Sequence, residues 1–242
     1  MTVKILHLFP TLMNLYGERG NILVLQKRLR ESGFEVEVVT HELGDELSLD
    51  GVDVVYMGCG TESASIKALE ALTPYKQAIE AYIEQDKILL LTGNAMEIFG
   101  KEITADTEHI DGLDIFTYST LRTSKKRYLG DAIFTSGDTD SKIIGFTNKC
   151  STISGVIAPL FNVEMGLGND NKQSTEGFTH KNVFATSLIG PLLVRNPHFL
   201  QLILQKIFRA KDFEPQGLPD MADQMKAYSI ALKELEASRA DR

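Results

Sequence analysis

The chain has 242 residues, and its 33 acidic against 25 basic residues give a formal net charge of −8 and an isoelectric point near 5.2. This acidic balance argues against nucleic-acid binding as the main activity. Hydrophobic residues make up 43% and charged residues 24%, which is typical of a globular rather than a disordered protein. The length fits one large domain, or one domain with an appendage.

The sequence shows neither a membrane span nor an export signal. The longest purely apolar runs, such as residues 88–91, are far shorter than the roughly 20 residues of a membrane-spanning helix. The first ten residues lack a cationic region followed by an apolar stretch and a cleavage site. Two cysteines, Cys59 and Cys150, are too few for a disulfide framework or a zinc site. These features predict a cytoplasmic protein without a bound metal.

Strands and helices are predicted to alternate over the first hundred residues. Strands are expected at residues 4–9, 34–38, 52–57 and 87–92, and helices at 21–32 and, broken at Pro74, within 63–85. This order predicts an α/β fold with a mixed, mainly parallel sheet and helices on both faces. Ligands of such folds lie beyond the carboxyl ends of the strands. Two of these ends are rich in glycine, at residues 58–60 and 93–95.

The second half of the chain is predicted to contain a further, antiparallel section of sheet. Short apolar runs separated by Gly and Asp predict strands at residues 115–119, 132–136 and 143–146. Residues 166–177 are polar and glycine-rich, which predicts a loop, and 183–188 form another apolar run.

Two helices are predicted at the C-terminal end. Asn196 followed by Pro197 is a favourable cap and first position for a helix that closes the core. Beyond Pro215, apolar residues recur at spacings of four and three, which predicts a helix with one apolar stripe. This stripe packs on the chain's own body or on a partner surface. The residues of the stripe are Met221, Met225, Tyr228, Leu232 and Leu235.

Four segments carry the sequence pattern of a known family: residues 14–21, 58–62, 145–148 and 190–197. In this order and spacing they resemble the cobyric-acid-synthase type of class I glutamine amidotransferases, and they are most similar to the glutaminase subunits of lipid II isoglutaminyl synthases. The resemblance implies a flavodoxin-like, class I amidotransferase domain over residues 1–212, with 213–242 as a helical extension. It also implies a cytoplasmic heterodimer with a Mur-ligase-like ATP-dependent subunit that amidates the peptidoglycan stem peptide.

Members of this family hydrolyse glutamine with a Cys nucleophile, a His base and a channel that carries ammonia to the partner. In this chain Gly93 stands at the nucleophile position and Ile189 at the base position. Neither residue can attack a carbonyl carbon or transfer a proton. A nearby family motif keeps Asn148 but has Thr147 and Lys149 in place of Glu and His. The sequence therefore predicts a degenerate subunit, a pseudoenzyme that is a partner or regulator of the Mur-ligase-like enzyme.

The resemblance also implies a set of substrate-binding residues. Arg127 matches a family position proposed to hold the glutamine carboxylate, a role that suits a bidentate guanidinium. The other interpretation of residues 125–127 is a solvated basic loop. Gly58, Gly60 and Asn148 are implied to line the same pocket, which is expected to admit glutamine or a small amide. No cofactor is expected, because a phosphate-binding loop is missing and ATP belongs to the ligase subunit in the family.

An active glutaminase with Cys59 as a relocated nucleophile is the alternative. Cys59 lies between two glycines before a helix, and a helix N-terminus can lower the pKa of a thiol. Cys59 as a small packing residue is the competing interpretation, and Cys150 is expected to be an ordinary thiol.

A third hypothesis is an acid–base site built from Asn94, Glu97 and Glu62, although solvation of both carboxylates is expected. Ser63 and Ser65 are expected to cap the following helix. The histidines have no sequence context that pairs them with a nucleophile or metal; they are His7, His41, His109, His180 and His198.

Overall fold

The computed structural model describes residues 1–170, 174–215, 217 and 219–240. The strands of this part of the chain are β1 (Thr2–Leu8), β2 (Glu35–His41), β3 (Val54–Met57), β4 (Ile88–Thr92), β5 (Glu102–Ala105), β6 (Glu108–Asp111), β7 (Ser119–Arg122), β8 (Tyr128–Ser136), β9 (Thr139–Lys149), β10 (Ser151–Ser154), β11 (Phe161–Met165), β12 (Thr175–Glu176), β13 (Phe178–His180), β14 (Val183–Thr186) and β15 (Leu188–Ile189). The helices are α1 (Arg19–Glu31), α2 (Glu62–Leu72), α3 (Lys76–Glu84), α4 (Leu192–Arg195), α5 (Pro197–Ala210) and α6 (Ala222–Ala240).

A six-stranded sheet forms the centre of the molecule, with the strand order β13-β14-β4-β3-β1-β2. The pairs from β14 to β2 are parallel, and β13 is antiparallel to β14. Strands β3 and β4 are buried along their whole length, as expected for central strands of a parallel sheet. The predicted mainly parallel sheet is confirmed.

Helices cover both faces of this sheet. Because side chains alternate along a strand, Leu89 and Leu91 of β4 pack in the core beneath α2 and α3, whereas Ile88 and Leu90 pack in the core beneath α1 and α5. Pro74 lies in a single 3-10 turn between α2 and α3, so the predicted break is confirmed.

Two further sheets lie beyond the central one. One has the order β10-β7-β5-β6, and the other, β12-β11-β8-β9-β15, is antiparallel throughout. The prediction of a strand at residues 115–119 is wrong, because the strand is Ser119–Arg122. The backbone N–H groups of Ile115 and Phe116 both donate to the Phe99 carbonyl, at 3.2 and 3.1 Å, so this segment turns instead of pairing.

The predicted strand at 183–188 is two strands that belong to different sheets. β14 pairs with β4, whereas β15 pairs with β9. Ser187 separates them, and its N–H and hydroxyl groups donate to the buried Glu176 carboxylate at 2.7 and 2.6 Å. The predicted loop at 166–177 contains β12, and residues 171–173 of that loop lie outside the described residues.

Asn196 precedes α5 but does not cap it with its side chain, contrary to expectation. The Asn196 amide instead accepts a hydrogen bond from the Ile144 N–H at 2.7 Å and donates to the Ile144 carbonyl at 2.8 Å. The side chain therefore ties the start of α5 to β9.

Helix α6 packs on the chain's own body. Tyr228 is 8% exposed and donates a hydrogen bond to the Lys142 carbonyl at 2.7 Å, and Gln224 donates to the Leu193 carbonyl at 2.9 Å. Tyr228 also packs against Ile133 and Ile144 of the antiparallel sheet. No helix of the described residues combines the length and apolar character that crossing a membrane requires.

Candidate functional site

The two glycine-rich turns predicted from the sequence meet at the carboxyl ends of β3 and β4. Asn94 joins them, because its side-chain oxygen accepts from the Gly60 N–H and its amide donates to the Gly60 carbonyl, both at 2.9 Å. A cavity of about 250 Å³ opens beside this junction, and Cys59 and Gly93 line it.

Gly93 is confined to glycine by its surroundings. Its φ of +62° lies in the left-handed region, which side chains other than glycine adopt at a cost. A Cβ atom at residue 93 would lie 2.6 Å from the Cys59 sulfur and 3.0 Å from the Ile189 Cγ2 atom. The space that a nucleophile at residue 93 would use is therefore filled by the side chains of Cys59 and Ile189.

The Cys59 thiol is poorly suited to act as a nucleophile. The residue is 4% exposed, and burial raises the pKa of the thiol to about 12. A hydrogen bond from the Asn94 backbone opposes this rise in pKa, and the carboxylates of Glu18, Glu97 and Glu62 contribute to it. The helix-lowered pKa considered for this thiol is therefore not found, and the group is protonated at neutral pH.

No histidine lines the cavity among the described residues. His7 and His41 are buried in the central sheet, beside Tyr56 and Phe9. The other three lie elsewhere: His109 beside Asp111, His180 beside Phe116 and His198 beside Tyr228. Within the same described part of the chain, no cluster of three or more His, Cys, Asp and Glu side chains could hold a metal ion.

A chain of hydrogen bonds crosses the mouth of the cavity. Arg127 donates to the Glu62 carboxylate at 2.5 Å and to the Asn148 side-chain oxygen at 2.9 Å. Asn148 in turn donates to the Tyr16 hydroxyl at 2.7 Å. The Arg127 side chain is 43% exposed and reaches the cavity as the resemblance implies, but a carboxylate of the chain itself already occupies its guanidinium. Gly60 lines this cavity, whereas Gly58 packs beneath it against Met13 and Glu18.

Glu97 is not solvated, contrary to expectation. It is 4% exposed, and its carboxylate accepts from Arg122 at 2.6 Å and from the Ser151 hydroxyl at 2.6 Å. Glu62 and Glu97 are each held by their own arginine, so neither is available as a general acid or base. The hypothesis of an acid–base pair therefore has no support in this geometry.

The expected capping of α2 by serine is also wrong. Thr61 caps this helix, since its hydroxyl accepts from the Ala64 N–H at 3.1 Å. Ser63 contacts the Thr61 hydroxyl, and Ser65 accepts from Arg122 at 2.8 Å.

Sequence reasoning missed a buried carboxylate beneath the site. Glu18 is fully buried and accepts hydrogen bonds from the Tyr56 hydroxyl at 2.6 Å, the Gly190 N–H at 2.9 Å and the Thr92 hydroxyl. Burial raises the pKa of Glu18 above its ordinary value. Thr92 precedes Gly93 and Gly190 follows Ile189, so this carboxylate fixes both turns. The sequence offered one indication of this role, because Glu18 lies inside the family motif at residues 14–21.

The remaining residues singled out in the sequence have structural roles. Lys149 is buried and donates to the Gly168 carbonyl at 2.7 Å. Thr147 is buried as well, and its hydroxyl has no partner among the described residues. The half-buried Cys150 thiol donates to the Glu62 carboxylate at 3.3 Å, and burial raises its pKa to about 11.

Comparisons with known proteins agree with this fold. The chain is 29% identical over 224 residues to "Lipid II isoglutaminyl synthase (glutamine-hydrolyzing) subunit GatD" of Streptococcus pneumoniae (strain ATCC BAA-255 / R6), covering 91% of this chain and 86% of that protein. It is 29% identical over 243 residues to the protein of the same name in Staphylococcus aureus (strain N315), covering 99% and 97%. A solved glutamine amidotransferase structure has a TM-score of 0.52 at 15% identity, covering 84% of this chain and 98% of that one.

The family model of the CobB/CobQ-like glutamine amidotransferase domain matches residues 4–197. That range contains the parallel sheet except the first two residues of β1, together with both glycine-rich turns and the cavity between them. The match covers most of the chain, and the fold and the motif positions agree with it. The chain therefore belongs to the CobB/CobQ-like glutamine amidotransferase family.

Proposed function

We propose that this protein is a catalytically degenerate glutamine amidotransferase-like subunit that serves as a partner or regulator of a Mur-ligase-like, ATP-dependent enzyme. Its relatives are named as glutamine-hydrolysing subunits of lipid II isoglutaminyl synthase, which supplies the context of cell-wall synthesis. We place the protein in the cytoplasm, in a heterodimer with the ligase subunit.

One observation carries the proposal. Position 93 bears no side chain, and the atoms around it leave room for none, because Cys59 and Ile189 fill the adjacent space. A glutaminase of this type needs a nucleophile and a proton-transferring base at these two places. The loss of both groups and the packing around Gly93 support the proposal that the protein has kept the fold but does not hydrolyse glutamine.

The cavity that remains is suited to binding rather than to chemistry. Arg127 and Asn148 border it with hydrogen-bond donors, and its volume of about 250 Å³ suits a single amino acid. We propose that glutamine or a small amide binds there without being cleaved, and that occupancy alters the ligase partner.

Ammonia release from glutamine tests the proposal. The full chain, purified from its own cells with whatever partner accompanies it, is expected to release no more ammonia than a protein-free blank. The pneumococcal relative, assayed beside it with its own partner, is the positive control. An enzymatic rate that disappears when this chain is removed from the mixture would overturn the proposal.

A relocated nucleophile is the second candidate function. The favouring observation is that the Cys59 sulfur lies only 2.6 Å from the place of a Cβ at residue 93, so a thiol is present almost where the family carries one. Burial of this thiol, its pKa of about 12 and the absence of a histidine among the described residues of the cavity weigh against it.

Covalent labelling decides between these two functions. A diazoketone analogue of glutamine is incubated with the protein and its partner, and intact mass and peptide mapping follow. We expect no adduct on Cys59, whereas a stoichiometric adduct that is absent from Cys59→Ala would establish the active glutaminase.

A further inference from the structure

A second, larger cavity of about 810 Å³ adjoins the site. It is a groove between α2 on one side and strands β5, β6 and β7 on the other. Glu62, Arg127 and Cys150 line both the groove and the smaller cavity, so the two meet at the Arg127–Glu62 ion pair. Its volume lies within the usual range of small-molecule sites.

The middle of the groove is apolar. Ile66 of α2, Ala105 of β5 and Ile110 of β6 line it, and each is partly buried. An extended ligand with small or apolar side chains could cover this surface. Lys67 lies among these residues and can donate a hydrogen bond to a carbonyl group of such a ligand.

Positive charge marks the end of the groove at the smaller cavity. Arg127 and Lys126 line this end, where Arg127 holds the Glu62 carboxylate. Both side chains of this ion pair are about 40% exposed, so the pair contributes little to the free energy of unfolding. A ligand carboxylate can accept the same hydrogen bonds and replace Glu62 at the guanidinium.

Negative charge also lines the groove: Asp106 accepts a hydrogen bond from the Ser124 N–H group, and Glu70 lies farther along α2 than Glu62. Glu70 follows Glu62 by eight residues of α2, which is about 12 Å along the helix axis. Glu108 lies two strands from Arg122, which is about 10 Å across the sheet. Both carboxylates are exposed, and neither has a hydrogen-bond or ion-pair partner within the described part of the chain.

We propose that this groove binds a short peptide of about three residues, with its free carboxylate at Arg127 and its free ammonium group at Glu70 and Glu108. An extended tripeptide spans about 10 Å, which is close to the rise of about 12 Å along α2 between Glu62, the partner of Arg127, and Glu70. The apolar middle and the donor on Lys67 fit the side chains and the backbone carbonyls between them. The proposal goes beyond glutamine hydrolysis or its loss, because it concerns a different cavity and a different ligand.

Calorimetric titration of the full chain with trialanine tests the inference. Acetylated trialanine lacks the ammonium group and trialanine amide lacks the carboxylate, so each probe removes one charged end. We expect saturable binding of trialanine and about tenfold or greater weakening for each blocked form, as befits the loss of a charge-assisted hydrogen bond.

Two substitutions sharpen the test. Arg127→Gln is expected to weaken trialanine binding about tenfold, whereas Glu62→Gln is expected to strengthen it because the guanidinium is released. Lys125→Gln is the matched control, because Lys125 lies in the same loop as Arg127 but lines neither cavity. It is expected to leave the affinity for trialanine unchanged.

Two results would overturn the inference. One is a failure of both the parent chain and Glu62→Gln to bind trialanine at millimolar concentration, and the other is equal binding of free and blocked peptides. The ammonia assay is independent of both, so failure of the peptide site and failure of the proposed function are told apart.

Discussion

The Cys59 sulfur lies 2.6 Å from the point where a Cβ atom of residue 93 would stand. The two residues follow β3 and β4, which are neighbouring parallel strands, so their turns face each other across the site. Only one of the two positions has room for a side chain. A thiol at residue 59 and glycine at residue 93 are therefore coupled, and a change at one position alters what the other tolerates.

This coupling predicts a non-additive pair of substitutions. Gly93→Ala is expected to destabilise the fold by about 2–4 kcal/mol, because the new Cβ contacts Cys59 and adopts a left-handed backbone. Cys59→Gly/Gly93→Ala is expected to recover part of that loss, since the space beside residue 93 is then open. Urea unfolding of the four members of the cycle measures the coupling free energy.

Gly137→Ala is the matched control, because a Cβ there meets nothing within 4 Å and its φ is not left-handed. It is expected to change the free energy of unfolding little. Additive effects of the two substitutions at residues 59 and 93 would contradict the steric account.

The reactivity of the two cysteines follows from their burial. At pH 8 a thiol with a pKa of about 12 is ionised to a fraction on the order of one in ten thousand, so native Cys59 is expected to resist iodoacetamide. Cys150, half-buried with a pKa of about 11, is expected to react slowly but ahead of Cys59. Peptide mapping over time measures both rates, and unfolding in denaturant is the control in which both thiols react. Faster alkylation of Cys59 than of Cys150 in the native protein would contradict this ranking.

The order of strands and helices over the first hundred residues could be predicted from the sequence because it depends on local apolar patterning. The apolar residues 88–91 lie between Lys87 and Thr92, and they form a central strand as expected. Residues 183–188 were predicted as one run, yet they divide at Ser187, because the Ser187 N–H group donates to the Glu176 carboxylate instead of continuing the strand. A hydrogen bond of this kind leaves no pattern in the residues of the run itself.

The site could be predicted only in part, for the same reason. The glycine-rich turns at Cys59 and Gly93 were visible as residues that follow buried strands. The burial of Glu97 could not be predicted, because it depends on Arg122 of β7, a strand whose position the sequence did not indicate. The steric exclusion at Gly93 depends on Cys59 and Ile189, which approach it only in the folded chain.

The two arginine–carboxylate pairs beside the site are expected to differ in their contribution to stability. Arg122→Gln leaves the buried Glu97 carboxylate without its charged partner and with only the Ser151 hydroxyl of its two donors named above, which is expected to cost about 3–5 kcal/mol. Arg127→Gln breaks an exposed pair with Glu62 and is expected to cost about 0–1 kcal/mol. Denaturant unfolding of the two variants measures the difference. Equal losses in the free energy of unfolding would show that burial does not make the Arg122–Glu97 pair more stabilising than the exposed pair.

His7 is expected to make stability depend on pH. Burial, assisted by the Arg19 charge, lowers the pKa of His7 from 6.5 to about 4. Between these values the unfolded chain binds a proton that the native chain does not, so the free energy of unfolding falls as the pH falls from 6.5 towards 4. The full effect is about 3 kcal/mol.

His7→Phe removes this titration while keeping a ring beside Tyr56. The variant is expected to lose less stability than the parent chain over the same pH range, and the difference between the two curves removes the contributions of other groups. Chemical denaturation at pH 7, 6, 5 and 4 supplies both curves. Parallel curves would contradict a lowered pKa at His7.

Restoring the dyad is expected to require a third substitution. Gly93→Cys/Ile189→His supplies the two groups that the proposed function takes to be lost, but it keeps the Cys59 side chain in the space of the new nucleophile. Cys59→Gly/Gly93→Cys/Ile189→His removes that obstacle and places the thiol at residue 93. We therefore expect the diazoketone analogue of glutamine to label the new thiol at position 93 at least about tenfold faster in the triple variant than in the double variant, since about 1.4 kcal/mol of relieved overpacking corresponds to that ratio. Peptide mapping after timed quenching measures both rates, and the parent chain is the unlabelled control. Equal rates for the double and triple variants would show that the Cys59 side chain does not obstruct residue 93.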